Sequence, residues 1–266
     1  MIPSFTPFHR GGSGPPLVLL HGFTDTWRTW EFVLDALERR HDVLALTLPG
    51  HTGGPPLPDQ PTAAGMVEAV ERLLDEAGLA DAHLAGNSLG GYLALRLAAR
   101  GRARSVVALA PAGGWRPDSP AAADMLRTFP FMQTQARNVL PQLDQLVATP
   151  QGRRRAIELV AEHGDRVPAG LVAHMVLGLA ACPGVEALTT AALSEPWELD
   201  AAAVGCPVRI VWGLADRVLR WPAAAVRYRE EWLRHADWVE LDDAGHCPQL
   251  DAPAVTAELI GGVTGG

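Results

Sequence analysis

The feature that most constrains this chain is the alternation of short apolar runs with helix-like segments. Residues 16–20 (PLVLL), 42–48 (DVLALTL), 82–86 (AHLAG), 105–111 (SVVALAP), 207–213 (PVRIVWG) and 237–243 (DWVELDD) are nearly continuous apolar stretches. A strand reads this way when both of its faces are buried. Segments with helical character lie between most of them, at 27–40, 63–77, 89–100, 222–235 and 253–260. The expected fold class is therefore α/β, a mainly parallel sheet covered by helices on both faces. The rhythm breaks once, over 113–199, where no strand pattern occurs and helical stretches at 133–146, 153–162 and 169–181 are separated by Pro and Gly. An insertion of this length predicts a helical cap over 113–199, carried on a core built from 1–112 and 200–266.

Composition narrows the function. A chain of 266 residues with a net charge of −8, and no basic cluster longer than Arg153-Arg154-Arg155, is poorly suited to nucleic acid or an anionic membrane. A small-molecule substrate is expected. All 22 basic residues are arginine, so Schiff-base chemistry, a phosphate-loop lysine and a Ser-Lys dyad are excluded. Cys182, Cys206 and Cys247 are too few and too scattered for a disulfide framework, and no ligand spacing suggests a metal site. No cofactor is expected. The opening stretch MIPSFTPFHRGGSG has no basic region followed by an apolar one, and no run of 18 apolar residues follows, so the expected location is the cytoplasm.

One junction between a run and a helix carries chemistry. Gly86-Asn87-Ser88-Leu89-Gly90 has the G-x-S-x-G pattern where a strand ends and a helix begins. A serine on such a tight turn projects its hydroxyl clear of the backbone, and the residues two before and two after it approach too closely for side chains. Gly91 lets the helix pack closely on a neighbouring strand, and the new helix N-terminus aims amide groups at negative charge forming near Ser88. Asn87 either fits the tight backbone or borders the substrate.

A serine hydroxyl is a weak nucleophile and needs a base and an orienting acid. Of nine histidines, His246 stands on a loop after the last strand and before the last helix. His21 is also in a loop after a strand but precedes the serine, His51 sits in the PGHTGGPP loop, His83 lies at a strand start, and His163, His174 and His235 lie in helix-like stretches. Asp216 follows the strand 207–213 directly, in WGLADRVLRWP, while the preceding strand's end, LAPAGGW, offers no carboxylate before Asp118. Asp242 and Asp243 stand at a strand end and suit structural or capping roles. The candidate set is Ser88, Asp216 and His246, in that chain order.

Over nearly its whole length the chain resembles an α/β-hydrolase of the esterase and carbon-carbon hydrolase branch. Besides the serine turn and the two loops, LVLLHGF is similar to the family's His-Gly oxyanion motif and LTLPGHTGG to its D-x-P-G-x-G loop. The resemblance implies that Ser88 is the nucleophile, His246 the general base and then acid, and Asp216 the residue that orients the imidazole. It also implies an oxyanion hole from the backbone amides of Phe23 and Leu89. Thr47 stands where the family's loop has Asp, so local hydrogen bonding there must differ. The short region before Pro16 predicts a missing or reduced first antiparallel strand. A serine where haloalkane dehalogenases and epoxide hydrolases carry a nucleophilic Asp argues against both reactions, and HGFTDTW lacks the Gly-Pro pair of many ring-cleavage dienone hydrolases. The expected activity is hydrolysis of a small carboxylic ester through an acyl-enzyme. Carbon-carbon bond hydrolysis, cofactor-free perhydrolase or haloperoxidase activity, and non-catalytic ligand binding are the alternatives. Trp115, Phe129, Phe131, Met132 and the LVAHMVLGLAA segment are candidates to line an apolar pocket. Trp27 and Trp30 either touch substrate or anchor the first helix, and Cys247 is expected to be a small packed residue.

Overall fold

A computed structural model describes residues 4–265. Its strands, in chain order, are β1 (Phe8–Gly12), β2 (Pro16–Leu20), β3 (Asp42–Leu46), β4 (Ala82–Asn87), β5 (Ala103–Leu109), β6 (Val208–Gly213) and β7 (Asp237–Leu241). They form one seven-stranded sheet in the order β1-β3-β2-β4-β5-β6-β7. β1 runs antiparallel to β3 and every other pairing is parallel. The helices of the core are α1 (Glu31–Glu38), α2 (Ala63–Glu76) and α3 (Leu89–Ala99); five further helices follow β5, and α9 (Pro248–Asp251) and α10 (Pro253–Gly261) follow β7.

Alternation along the strands builds two cores. Val18, Leu20, Leu44, Leu46, Leu84, Val106 and Ile210 point to one face, where α2 and α3 bury Met66, Val70 and Leu93 against them. Leu17, Leu19, Val43, Ala45, Val107 and Val211 point to the other, against Val33 and Leu37 of α1 and Ile260 of α10. Because consecutive residues serve opposite faces, both must be apolar, and this is the origin of the continuous runs.

β1 corrects an expectation. The first antiparallel strand is present, five residues long and paired over its full length with β3. Its sequence, FHRGG, has no apolar run because it is an edge strand with little to bury. Side chains secure it instead: Arg10 pairs with Asp42 at 2.6 Å and His9 with Glu38 at 2.5 Å.

The insertion between β5 and β6 is helical. It contains α4 (Pro120–Val139), α5 (Leu143–Ala148), α6 (Pro150–Ala156), α7 (Ala169–Ala181) and α8 (Val185–Ser194). α4 is the main surprise, starting 13 residues before the predicted helix at 133 and running through Pro130. Proline in a helix interior removes one backbone bond and ordinarily ends the helix. Here Ser119 caps the N-terminus by accepting from Ala122 N at 3.3 Å, and the helix packs along α7 and α8. α8 was not anticipated at all. The insertion has its own core of Leu143, Val147, Ile157, Val167, Leu171 and Val172, which also takes in Cys247 and Leu250 from the loop after β7. Among the described residues no single helix is long and apolar enough to cross a membrane.

The predicted helix over 222–235 is also corrected. Only single-turn pieces form, at Ala223–Ala225 and Tyr228–Trp232. Tertiary bonds compete with the helix: Arg227 N donates to Gly114 O at 2.8 Å and Tyr228 Oη to Ala112 O at 2.6 Å. Arg227 also forks onto Glu198 at 2.9 and 3.0 Å.

Candidate active site

All the loops that carry candidate residues leave the carboxyl ends of parallel strands, the edge at which open α/β sheets bind ligands. Ser88 lies between β4 and α3 with φ 54° and ψ −115°, a left-handed region that costs a non-glycine residue energy. Two further non-glycine residues with positive φ, Thr24 after β2 and Ala110 after β5, share this edge. The glycines around Ser88 act as the spacing required. A methyl group on Gly86 would stand 2.2 Å from Gly90 O, and one on Gly90 would stand 2.1 Å from Leu20 O. Gly91 comes against Gly86 and Pro111, where a methyl group would meet atoms at 3.0–3.2 Å.

Asp216 and His246 meet directly. His246 Nδ1 donates to Asp216 Oδ2 at 2.7 Å, and both residues are 4 % exposed. The other carboxylate oxygen accepts from Val218 N at 2.8 Å and Leu219 N at 2.7 Å. Asp216 is thus fixed by its own loop and presents one oxygen to the imidazole, which sets Nε2 as the free nitrogen. Ser88 and His246 line one cavity of about 700 Å³. Among the described residues no hydrogen bond joins Ser88 Oγ to the imidazole, a looseness common in free hydrolases.

The loop after β2 passes over Ser88. A methyl group on Gly22 would lie 3.3 Å from Ser88 Cβ, so the residue before Phe23 comes directly against the serine. Among the described residues, neither Phe23 N nor Leu89 N donates to a protein acceptor, whereas Gly90 N is taken by His21 O at 3.1 Å. His21 anchors this loop: Nδ1 donates to Gly22 O at 2.7 Å, and Nε2 accepts from Leu48 N at 2.8 Å. Burial, reinforced by His51, holds its pKa well below the usual imidazole value, which keeps Nε2 an acceptor. At the neighbouring loop Thr47 supplies the hydrogen bond its position needs, donating to Thr6 O at 2.9 Å.

Asn87 acquires a role that the sequence did not disclose. Its Nδ2 donates to His246 O at 2.8 Å and Leu109 O at 3.2 Å, while Oδ1 accepts from Cys247 Sγ at 3.3 Å. The residue before Ser88 therefore ties the serine turn to the histidine loop. A second tie comes from Asp251, whose carboxylate accepts from Gly245 N at 2.7 Å, Glu162 N at 3.0 Å and His163 N at 2.8 Å. That carboxylate joins the inserted helices to the histidine loop. Cys247 is packed as expected, and burial followed by the nearby carboxylates Asp25, Asp251 and Asp216 pushes its thiol pKa well up.

Trp115, Phe129, Phe131, Met132, Met175, Val176 and Leu179 all face the large cavity. Trp27 and Trp30 do not: Trp30 is fully buried in the core, and Trp27 Nε1 donates to Thr6 Oγ1 at 2.8 Å. Asp25, by contrast, was overlooked by sequence reasoning and lines the cavity with Ser88. Burial pushes its pKa from 3.8 up to about 6, against the lowering effect of hydrogen bonds from Thr26 N and the Thr29 hydroxyl. A carboxyl whose pKa is raised on folding costs stability from the pH at which it ionises in the unfolded chain, and the cost is complete once it ionises in the folded state as well. The cost is absent below about pH 4 and develops as pH rises to 6. Asp25→Asn is therefore expected to stabilise the protein at pH 7.5 by on the order of 1–2 kcal/mol, given about 1.4 kcal/mol per tenfold change in proton affinity and partial access to solvent. Urea unfolding of both proteins at pH 7.5 and pH 4 measures this, and the gain should vanish at the lower pH.

A strained serine at a strand-to-helix turn, a buried Asp-His pair and an adjoining cavity define a hydrolase built on a parallel α/β sheet. Residues 17–259 match the alpha/beta hydrolase family, and the chain belongs to it. It is 32% identical to the epoxide hydrolase EphH of Mycobacterium tuberculosis over 204 residues, 75% of this chain and 93% of that protein. It is 29% identical to the pimeloyl-[acyl-carrier protein] methyl ester esterase of Aromatoleum aromaticum over 265 residues, 95% of this chain and 99% of that one. Among solved structures, an esterase from Exiguobacterium antarcticum superposes with a TM-score of 0.77 at 16% identity, covering 97% of this chain and 95% of that one.

Proposed function

We propose that the protein hydrolyses a small-molecule carboxylic ester through an acyl-enzyme on Ser88, with residues 113–199 acting as the cap over the site. The observation that carries this reading is the buried 2.7 Å bond from His246 Nδ1 to Asp216, which leaves Nε2 free on the cavity shared with Ser88. Ser88 Oγ attacks the ester carbonyl while His246 Nε2 takes its proton, and Asp216 stabilises the imidazolium. The oxyanion is held by the amides of Phe23 and Leu89. On collapse the bond from the carbonyl carbon to the alcohol oxygen breaks, and that oxygen receives the proton from Nε2. Water then attacks the acyl-enzyme, giving a proton to His246, which returns it to Ser88 as the acid departs.

The similarity to an epoxide hydrolase does not transfer epoxide opening to this chain. A serine alkoxide opening an epoxide would form an ether, which water does not release, whereas its attack on an ester forms a second, hydrolysable ester. The decisive assay sets p-nitrophenyl butanoate beside a ring-fission dienone. Turnover of the ester, with a burst of p-nitrophenol equal to the enzyme concentration if deacylation is slow, supports the reading. Turnover of the dienone alone would replace it with carbon-carbon bond hydrolysis.

A further inference from the structure

Ser88 stands at the boundary of two spaces of very different size. The large cavity, about 700 Å³, extends between α4, α7 and the loop after β6, and includes His246. A second pocket of about 70 Å³ also includes Ser88 but does not include His246. It descends between α2, α3 and α8, with Met66, Leu93, Leu126, Leu188 and Trp197 among its walls. Its carboxylate, Glu195, accepts from Ala63 N at 3.3 Å. Phe23, Phe129, Met125 and Leu219 border both spaces, so the two meet at the serine. Phe23 and Phe129 touch edge to face across the opening, with ring centroids 4.7 Å apart.

The two spaces differ chemically as well as in size. The two substituents of an ester carbonyl diverge from the carbon that Ser88 attacks. The leaving oxygen must lie beside the histidine that protonates it, and His246 belongs to the large cavity alone. The acyl chain is left with the small pocket. A cavity of about 150 Å³ accepts benzene, so one of this size has room for about three carbons beyond the carbonyl.

We infer that the substrates are esters of a short, unbranched, apolar acid of about four carbons with a bulky alcohol, the acid seated between α2, α3 and α8. This assignment rests on the roles given above to Ser88, Asp216 and His246. Burying methylenes in a matching pocket strengthens transition-state binding, and exceeding its length forces the walls apart.

Two ester series test it on the intact protein: p-nitrophenyl esters from acetyl to decanoyl, and butanoates of alcohols from methyl to naphthyl. In the first, kcat/KM should rise on the order of tenfold from acetyl to butanoyl and fall at least about tenfold by octanoyl. In the second, it should not fall as the alcohol grows. Leu188→Ala should move the acyl optimum about two carbons longer, and Ala192→Leu, which fills the same pocket, should move it toward acetyl. Neither variant should alter the rank order of alcohols. An optimum at octanoyl or longer, or variants that reorder the alcohols and leave the acyl profile unchanged, would overturn this assignment alone. Absence of turnover for every ester in both series would overturn it together with the reading of the site.

Discussion

Alanine in place of Ser88 is expected to lower kcat for ester hydrolysis on the order of 10⁵–10⁶-fold while leaving the fold intact. The loss should be near total because the serine oxygen is the atom proposed to bond to substrate, and no neighbouring group is poised to replace it. Cys247, the nearest thiol to the serine turn in the histidine loop, donates to Asn87 Oδ1 at 3.3 Å and is kept protonated by burial. Stability should not fall, since Ser88 Oγ makes no hydrogen bond among the described residues and alanine keeps the Cβ that the turn already accommodates. Steady-state kinetics with p-nitrophenyl butanoate, beside thermal unfolding, measures both. A variant that retains more than about a hundredth of the activity would move the nucleophile elsewhere.

The second large effect is expected at Asp216. Asp216→Asn preserves the shape of the side chain and should lower kcat on the order of 10⁴-fold. An amide oxygen can still accept from Val218 N and Leu219 N, now made at 2.8 and 2.7 Å to Oδ1. The amide nitrogen then faces His246 Nδ1 and donates to it, which transfers the ring proton to Nε2 and leaves no lone pair for the serine proton. The loss should appear in kcat far more than in KM, because substrate touches the cavity walls and not Asp216. A change confined to KM would assign Asp216 to packing of the loop.

Legibility followed what each segment has to bury. Strands β2 to β6 serve two apolar faces at once, so their runs stand out in the sequence: β2 matches its expected range and β3 to β6 differ from theirs by one or two residues at one or both ends. β1 serves none, and its FHRGG is indistinguishable from loop. α4 was hidden by Pro130, because local propensity counts the lost backbone bond and cannot count the contacts with α7 and α8. The segment after Pro222 failed in the reverse sense: its periodicity is helical, but its backbone and Tyr228 are committed to Gly114 and Ala112. At the site, Ser88 was legible from its glycines, and Asp216 and His246 from the strands they follow. The ties made by Asn87 and Asp251 were not, because they join residues up to 160 positions apart. Asp25 gave no local signal either, since its raised pKa comes from burial, which only the folded chain supplies.

Whether Ser88 is an activated nucleophile is read out by the site of covalent capture by a fluorophosphonate. Such a probe reacts with a serine only where a base removes the proton and a pair of amides receives the phosphoryl oxygen. One equivalent of adduct is expected on the peptide that contains Ser88, with strong reduction in Asp216→Asn and none in Ser88→Ala. Undiminished labelling of Ser88→Ala, or no labelling of the native protein, would contradict it.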